Sequence, residues 1–232
     1  MYQLYIANKN YSAWSLRPWV LMKTLGIAFT EQLMPYVIGI SGTSWEHFRS
    51  FSPTGKVPCL VDGATTVWES LGIVEYLAER HLGVWPADPQ ARAWARCASA
   101  EMHAGFTALR AVCSMNCGVR VQVNQAAAGL QPDITRLSEL WEEGLARFGG
   151  PYLAGREFTA VDAFFAPVAF RFQTYGLQTS GAAQAYLARL LAHDSMRDWE
   201  RAALAEPWRE PGREADSKAA GTWLADLRLV EQ

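Results

Sequence analysis

The hairpin centred on Asp62-Gly63 constrains the fold of this chain more than any other stretch. Asp-Gly is a strong two-residue turn signal, and here it joins two short apolar runs, Cys59 to Val61 and Thr65 to Val67. Pro58 has no N–H to give to a sheet ladder, so it must stand at the start of its strand or at a break. A helix is predicted from about Ser70, because apolar residues follow it at helical spacing. The stretch therefore predicts a β-hairpin followed at once by a helix.

The residues before this hairpin supply a β-α-β unit. Tyr2 to Ala7 alternates as a strand does, and a helix is predicted from Ser15 to Leu25. Phe29 to Val37 is predicted as a second strand, placed at the sheet edge because Pro35 interrupts it. A β-α-β unit followed by a hairpin and a helix is the order of a thioredoxin-like domain, which we assign to residues 1–82.

A proline-rich break, Pro86-Ala87-Asp88-Pro89, divides the chain. We place a linker at residues 83–89, an α-helical domain at 90–206 and a C-terminal tail at 207–232. Helical periodicity in the second domain covers residues 90–112, 132–148, a segment from 158, 182–192 and 195–205. The tail is expected to be irregular at first and to end in a short helix carrying Trp223, Leu224, Leu227 and Leu229. The predicted fold class is thus α/β plus all-α, with a helical bundle after the thioredoxin-like domain.

One helix start in the second domain has a clear polar signature. Thr159 is followed three residues later by Asp162, a variant of the capping box in which side chains bond the unpaired N–H groups of the first turn. A buried helix start needs such partners, and losing either residue is expected to cost about 1 kcal/mol or more. We expect this box to serve folding and not catalysis.

Composition excludes several classes of function. The 232-residue chain has a formal net charge of −2, which gives no electrostatic case for binding nucleic acid or an anionic membrane. No apolar run approaches the length of about 18 residues that a membrane span needs, and no leader peptide is recognisable. The four cysteines form no Cys-x-x-Cys pair and have no partnered histidines, so we predict free thiols, no metal site and a cytoplasmic location.

Val57-Pro58 and Glu69-Ser70 lie at the two ends of the predicted hairpin, and this spacing resembles the glutathione S-transferase family. The resemblance implies that glutathione is the co-substrate. Val57-Pro58 would hold its cysteinyl part by backbone bonds, and Glu69-Ser70 would hold its γ-glutamyl carboxylate. Lys56 would reach the glycyl carboxylate, although a solvated lysine is the plain alternative. Members of the family usually form homodimers and serve detoxification.

A transferase of this kind must keep the glutathione thiol ionised. A free thiol has a pKa of about 8.5. A hydrogen bond from a neutral hydroxyl to the thiolate contributes roughly 1.5–3 kcal/mol, which lowers that pKa by about one to two units. The loop before the first helix offers three hydroxyls, those of Tyr11, Ser12 and Ser15.

The segment from Ser12 to Arg17 looks most like the zeta class, in which a Ser-Ser-Cys run precedes the matching arginine. Ser12 then takes the place of the first serine and is the expected catalytic hydroxyl. Ala13 and Trp14 depart from that pattern, which puts the zeta isomerase activity in question. Ser15 is the next candidate, although it also suits a helix N-cap, and Tyr11 would make the site tyrosine-type.

The second substrate is expected between the first loop and the helix predicted over residues 90–112. The candidate pocket residues are Tyr11, His103, Arg110 and Asn116, and Arg120 lies just beyond them. Two arginines and an asparagine hint at an anionic substrate, while a solvated helix end explains them equally well. The expected function is transfer of a glutathionyl group to a small electrophile. The alternatives are a zeta-like isomerase and a non-catalytic protein that binds glutathione or a hydrophobic ligand.

Overall fold

The structure is a computed structural model that describes residues 1–36, 44–124, 129–179 and 181–228. In the N-terminal part the chain alternates strands and helices before ending in a hairpin and a helix. Its elements are β1 (Tyr2–Ile6), α1 (Ala13–Thr24), β2 (Phe29–Leu33), α2 (Ser44–Phe48), β3 (Cys59–Asp62), β4 (Thr65–Trp68) and α3 (Ser70–Ala78).

The four strands form one sheet in the order β2-β1-β3-β4. β1 runs parallel to β2, with Tyr2 opposite Phe29, and antiparallel to β3, with Leu4 opposite Leu60. β2 lies at the edge, as the proline after it predicts, and it ends at Leu33. Val37, the predicted last residue of this strand, lies outside the described residues. The β-α-β unit and the hairpin are confirmed.

The C-terminal part is mainly helical. Its helices are α4 (Pro89–Ala104), α5 (Thr107–Val112), α6 (Leu130–Phe148), α7 (Ala160–Tyr175), α8 (Gly181–Ala192), α9 (Asp194–Leu204) and α10 (Pro211–Ala219). Two strands, β5 (Val119–Val123) and β6 (Gly221–Asp226), pair antiparallel. A thioredoxin-like sheet domain followed by a helical domain confirms the predicted fold class, while the exact domain boundaries stay a prediction. No helix within the described ranges is long and apolar enough to cross a membrane.

Helix α7 forms the centre of the helical domain, since almost all of its side chains are buried. Its first turn depends on Asp162, whose carboxylate accepts hydrogen bonds from Thr159 N at 2.9 Å and Leu153 N at 3.1 Å. The Tyr186 hydroxyl donates to the same carboxylate at 3.0 Å. The helix start predicted from Thr159 and Asp162 is therefore confirmed through Asp162, which ties three segments together. The bond expected from the threonine oxygen is not seen, since Thr159 Oγ1 has no hydrogen-bond partner among the described residues.

The predicted helix over residues 90–112 is wrong in one respect, because it is two helices. α4 ends at Ala104 and α5 begins at Thr107. Between them Phe106 adopts a left-handed conformation with φ of 54°, and its ring is buried. A side chain at Gly105 would contact the Glu101 carbonyl at 2.8 Å, so the break needs glycine there. The break separates α5, which carries Arg110, from α4.

The C-terminal tail also differs from its prediction. Residues 211–219, expected to be irregular in part, form α10, and the short helix expected after it is instead β6. Val119-Arg120-Val121-Gln122-Val123 has the alternation of a strand, a signal that the helical prediction for this domain overlooked. Each strand satisfies the other's backbone groups, which neither segment could do alone. Leu229 lies outside the described residues.

The tail is fixed to the body by Arg228, whose side chain is almost fully buried. Its guanidinium binds both oxygens of Glu214, at 2.9 Å for the Nη2–Oε2 pair, and also contacts Asp226. A side chain at Gly118 would collide with Arg228, so the absence of one lets the arginine pack against the backbone. Arg228 thus connects α10, β6 and the segment before β5.

We expect Arg228→Ala to loosen the tail, because breaking a buried ion pair leaves the carboxylate of Glu214 uncompensated. The cost of such a change is about 3–5 kcal/mol. Amide hydrogen exchange of β6 should accelerate by about 100-fold or more, whereas Arg201→Ala, which removes an exposed pair with Asp198, should leave it unchanged. Equal protection of β6 in both variants would show that Arg228 does not anchor the tail.

Candidate active site

Two adjacent cavities lie where the sheet domain meets the helical domain. The hairpin cavity, of about 250 Å³, is lined by Lys56 and Val57 together with Phe48 and Gly55. The loop cavity, of about 330 Å³, is lined by the loop before α1 and by residues of α5 and α7. Trp14, Tyr36 and Arg213 line both cavities, so a ligand in one would lie against a ligand in the other.

The β3–β4 hairpin brings its two predicted binding pairs to the same end. Cys59 lies opposite Trp68, so Val57-Pro58 and Glu69-Ser70 leave the hairpin side by side. The Val57–Pro58 bond is cis. Glu69 precedes α3 with φ of 68°, a conformation that costs a non-glycine residue of order 1–3 kcal/mol and concentrates at functional sites. Ser70, the first residue of α3, is fully buried.

Arg17 is a buried cation beside this end of the hairpin. Its guanidinium carbon lies 4.2 Å from the centre of the Trp14 ring and 4.7 Å from that of Phe164. Nη1 donates a long hydrogen bond of 3.4 Å to Ser70 Oγ, and Nε has no partner among the described residues. Burial first, and then the nearby Arg110, lower the pKa of Arg17 to about 9. The charge is retained at neutral pH without an ion pair to a described carboxylate.

The two predicted catalytic serines form a pair. Ser12 Oγ donates to Ser15 Oγ at 2.7 Å, and Ser15 Oγ also accepts from Ala7 N at 3.4 Å. Ser12 lines the loop cavity, whereas Ser15 is fully buried behind it. The helix begins at Ala13 and not at Ser15, so Ser12 takes the N-cap position and Ser15 belongs to the first turn. Of the two serines, Ser12 is therefore the one that lines the cavity.

Tyr11 lines the loop cavity, but its hydroxyl proton is already engaged in a hydrogen bond. It donates to Glu214 Oε1 at 2.6 Å, and Arg228 Nη1 donates to the same hydroxyl at 3.2 Å. Burial and the bond to Glu214 raise the pKa of Tyr11 to about 12. A phenol has a single proton. Tyr11 is thus a poor donor to a thiolate, and its role is to join the loop to the tail.

Tyr36 is a functional candidate that sequence reasoning missed. It lines both cavities, and burial raises the pKa of its hydroxyl, an effect that the neighbouring Ser12 hydroxyl opposes. Tyr36 N donates to Asn8 Oδ1 at 2.8 Å, which ties the end of β2 to the loop after β1. The carboxyl ends of parallel strands lie at the same edge of a sheet. The sequence could therefore have predicted that the segment after β2, which carries Tyr36, meets the loop after β1.

The residues proposed for the second substrate do not all share the loop cavity. Arg110 lines it, held by hydrogen bonds to the carbonyls of His103 and Gly105, both at 3.1 Å. His103 lies instead between the Trp14 ring, 5.2 Å away between centroids, and the Glu69 carboxylate, 3.8 Å from Nε2. Burial first, and then the neighbouring Arg17, lower the pKa of His103, which favours the neutral ring at neutral pH.

Asn116 and Arg120 are not among the residues that line the loop cavity. Asn116 is fully buried, and its side-chain amide bonds Asn10, Glu214 and Ser217. Arg120 faces Glu200, with 3.5 Å between Nη2 and Oε1. We therefore assign Asn116 to the packing of the helical domain against the tail and Arg120 to contacts within the helical domain, in place of the expected contact with substrate.

Two further arginines that the sequence did not single out line the loop cavity. Arg171, on α7, is buried and donates to the Cys113 carbonyl; burial lowers its pKa to about 10, so it stays charged at neutral pH. Arg213, on α10, is exposed and reaches both cavities. None of the described residues lining the loop cavity is a carboxylate. The wall of this cavity is therefore strongly cationic.

Comparison with known families matches most of the chain. Residues 11–80 match the N-terminal domain of glutathione S-transferase, and residues 124–210 match its C-terminal domain. A stringent starvation protein A homolog of Pasteurella multocida is 28% identical over 183 residues, covering 76% of this chain and 80% of that protein. A probable maleylacetoacetate isomerase of Caenorhabditis elegans is 27% identical over 180 residues, covering 73% and 81%.

Solved structures show the same fold. A glutathione transferase homolog from Burkholderia, with bound glutathione, superposes with a TM-score of 0.63 at 22% identity, covering 87% of this chain and 97% of that one. A theta class glutathione S-transferase from Xanthomonas axonopodis, also with glutathione, gives a TM-score of 0.61 at 24% identity, covering 88% and 98%. With both domain models matched in order and the architecture shared, this chain belongs to the glutathione S-transferase family.

Proposed function

We propose that the protein is a glutathione transferase in which Ser12 stabilises the glutathione thiolate for attack on a small electrophile. The observation that carries this is the position of Ser12. Ser12 lies at the start of α1 and lines the loop cavity, and its hydroxyl neighbours that of Tyr36, one of the residues that this cavity shares with the hairpin cavity. A cysteinyl sulfur held at Val57 would point toward this boundary.

The serine pair suits the donation of a hydrogen bond to a thiolate. A hydroxyl proton can rotate, so Ser12 can turn its proton from Ser15 to the sulfur. Ser15 would then donate to Ser12 in the opposite sense along the same 2.7 Å contact. Hydrogen bonds in series polarise one another, and the positive end of α1 adds a further favourable field. The thiol proton leaves to solvent when the thiolate forms, so the pair acts without a general base: Ser12 donates to the sulfur and accepts from Ser15.

The buried arginine supports the proposed orientation of glutathione. The γ-glutamyl carboxylate would bind at Ser70, where the N-terminus of α3 presents backbone N–H groups and Arg17 supplies a positive charge. Burial of the Arg17 guanidinium is costly, and the Glu69 carboxylate only partly offsets that cost, so a further carboxylate here would be favoured. Lys56, at the hairpin cavity, would bind the glycyl carboxylate. The tripeptide would then run from Ser70 past Val57 with its sulfur toward Ser12.

Replacing Ser70 with alanine tests this orientation. The variant removes the hydroxyl that Arg17 contacts, and we expect glutathione binding, measured by calorimetry, to weaken by about tenfold. The matched control is Ser138→Ala, which removes a hydroxyl from α6 that bonds Ile134 and Thr179. Unchanged affinity in Ser70→Ala would contradict the proposed orientation, and absence of glutathione binding to the wild-type protein would remove the proposed function.

A glutathione-dependent isomerase is the second candidate, favoured by the relatives named maleylacetoacetate isomerase. One of them, from Rattus norvegicus, is 32% identical over 126 residues. Isomerisation returns free glutathione, whereas transfer consumes one molecule for each product. Counting free thiol during turnover therefore separates the two activities. A third candidate is binding of glutathione without turnover. The relatives named stringent starvation protein A have a name that denotes no enzymatic activity.

By family resemblance we also propose a cytoplasmic homodimer that serves detoxification. The four cysteines are unpaired, as expected in a reducing compartment. Sedimentation at micromolar concentration should give twice the 25.8 kDa mass of the chain, and a single species of 25.8 kDa would contradict the dimer.

A further inference from the structure

We propose that Arg213 is a specificity-determining residue that, with Arg110 and Arg171, binds a negatively charged second substrate in the loop cavity. This inference rests on the proposed transfer of glutathione, and it names the class of electrophile. The three arginines come from α10, α5 and α7, three separate elements that converge on one cavity. Convergence from separate elements distinguishes this arrangement from a charged face on a single helix.

The positive charges of the loop cavity are not neutralised at its wall. The described hydrogen bonds of the Arg110 and Arg171 guanidinium groups are to backbone carbonyls, and Arg110 also lies 4.9 Å from the centre of the Trp14 ring. These contacts hold the two groups in place without a carboxylate to cancel their charge. Arg213 faces Asp216 at 3.3 Å, a solvent-exposed pair at i and i+3 that contributes little. An incoming carboxylate would therefore meet three cations, of which one is buried.

The C-terminal tail positions Arg213 firmly. Ser217 Oγ donates to the Arg213 carbonyl at 3.0 Å, and the adjacent Glu214 is bound by Arg228 and Tyr11. These bonds fix the turn of α10 that carries Arg213 against the mouth of the cavity. The tail would thereby contribute to the active site through Arg213, which lies beyond residue 210, where the match to the C-terminal family domain ends.

Arg213 also lines the hairpin cavity, so binding to glutathione itself is the competing explanation. In the hairpin cavity Lys56 already supplies a cation for glutathione. In the loop cavity Arg213 joins two other arginines, so we assign it to the second substrate. The probe substrate is chlorodinitrobenzoate: the thiolate sulfur attacks the ring carbon that bears chlorine, a C–S bond forms, the C–Cl bond breaks and chloride leaves. The arginines bind a carboxylate elsewhere on that ring and take no part in the bond changes.

The experiment compares chlorodinitrobenzoate, as its carboxylate, with its neutral methyl ester. With wild-type protein we expect a KM for the acid at least tenfold lower than for the ester. Arg213→Ala should raise the KM for the acid about tenfold and change that for the ester less than twofold, and Arg213→Lys should restore part of the difference. Lys218→Ala removes an exposed positive charge from the same helix and should change neither value.

A binding measurement keeps this test independent of turnover. Unreactive dinitrobenzoate is titrated by calorimetry into wild-type protein and Arg213→Ala, with and without glutathione. A loss of about tenfold in its affinity, with glutathione affinity unchanged, supports the proposal even if no transferase activity exists. Equal affinity for the anion in both proteins would overturn it, as would a parallel loss of glutathione affinity, which would place Arg213 in the glutathione site. Ultraviolet absorbance of bound thiolate reports separately on the proposed function.

Discussion

Ser12→Ala is expected to lower kcat/KM by about 100-fold while glutathione still binds. The variant removes the hydroxyl that faces the loop cavity, so the pKa of bound glutathione should rise by about one to two units toward its free value. Loss of one preorganised donor to a developing or existing anion commonly costs 10²- to 10³-fold in rate. Titration of the thiolate absorbance against pH measures the pKa directly, and steady-state kinetics measures the loss of rate.

Two other hydroxyls serve as comparisons for Ser12. Ser15→Ala removes the partner behind Ser12, so we expect a smaller loss of about tenfold and an intermediate thiol pKa. Tyr36→Phe removes the hydroxyl at the junction of the two cavities. If Tyr36→Phe abolishes the thiolate and Ser12→Ala leaves it intact, the serine mechanism is wrong and Tyr36 is the donor.

Asp162→Ala is expected to destabilise the protein by about 3–5 kcal/mol at pH 7. The change leaves three buried donors, Leu153 N, Thr159 N and the Tyr186 hydroxyl, without their acceptor. Each unsatisfied buried group costs about 1–3 kcal/mol. Urea unfolding measures the loss, and Glu139→Ala, which removes an exposed carboxylate on α6, should change stability by less than about 0.5 kcal/mol. Similar losses in the two variants would show that the Asp162 bonds contribute nothing.

The pH dependence of stability gives a second measure of Asp162. Burial raises its pKa from 3.8 to about 6, and the three hydrogen bonds only partly oppose that rise. The folded state therefore binds the proton more tightly, so this contribution is fully present below about pH 4 and is lost as pH rises through 6. It amounts to about 2–3 kcal/mol. Subtracting the curve for Asp162→Asn isolates it, because Glu206, whose pKa burial raises to about 7, titrates in both proteins.

The strands and helices of the sheet domain could be predicted from the sequence because the signals for them are local. The Asp62-Gly63 turn, the strand periodicity of β1 and the proline after β2 each act over a few residues, and nothing elsewhere in the fold contradicts them. The same holds for Asp162, whose spacing from Thr159 predicts its bond to the backbone. Ser12 was identified by resemblance, and although it lines the loop cavity, its catalytic role stays a prediction.

The residues that line the loop cavity could be identified only from the tertiary structure. Arg171 and Arg213 are 42 residues apart in the chain, and no local pattern places them at one cavity. The β5–β6 pairing joins segments about a hundred residues apart, and only that pairing turns the tail back over Tyr11. Local propensity determined where strands and helices form in the sheet domain. Long-range hydrogen bonds and burial decided that the Tyr11 hydroxyl donates to Glu214, that Ser12 lines the loop cavity, and which cations surround that cavity.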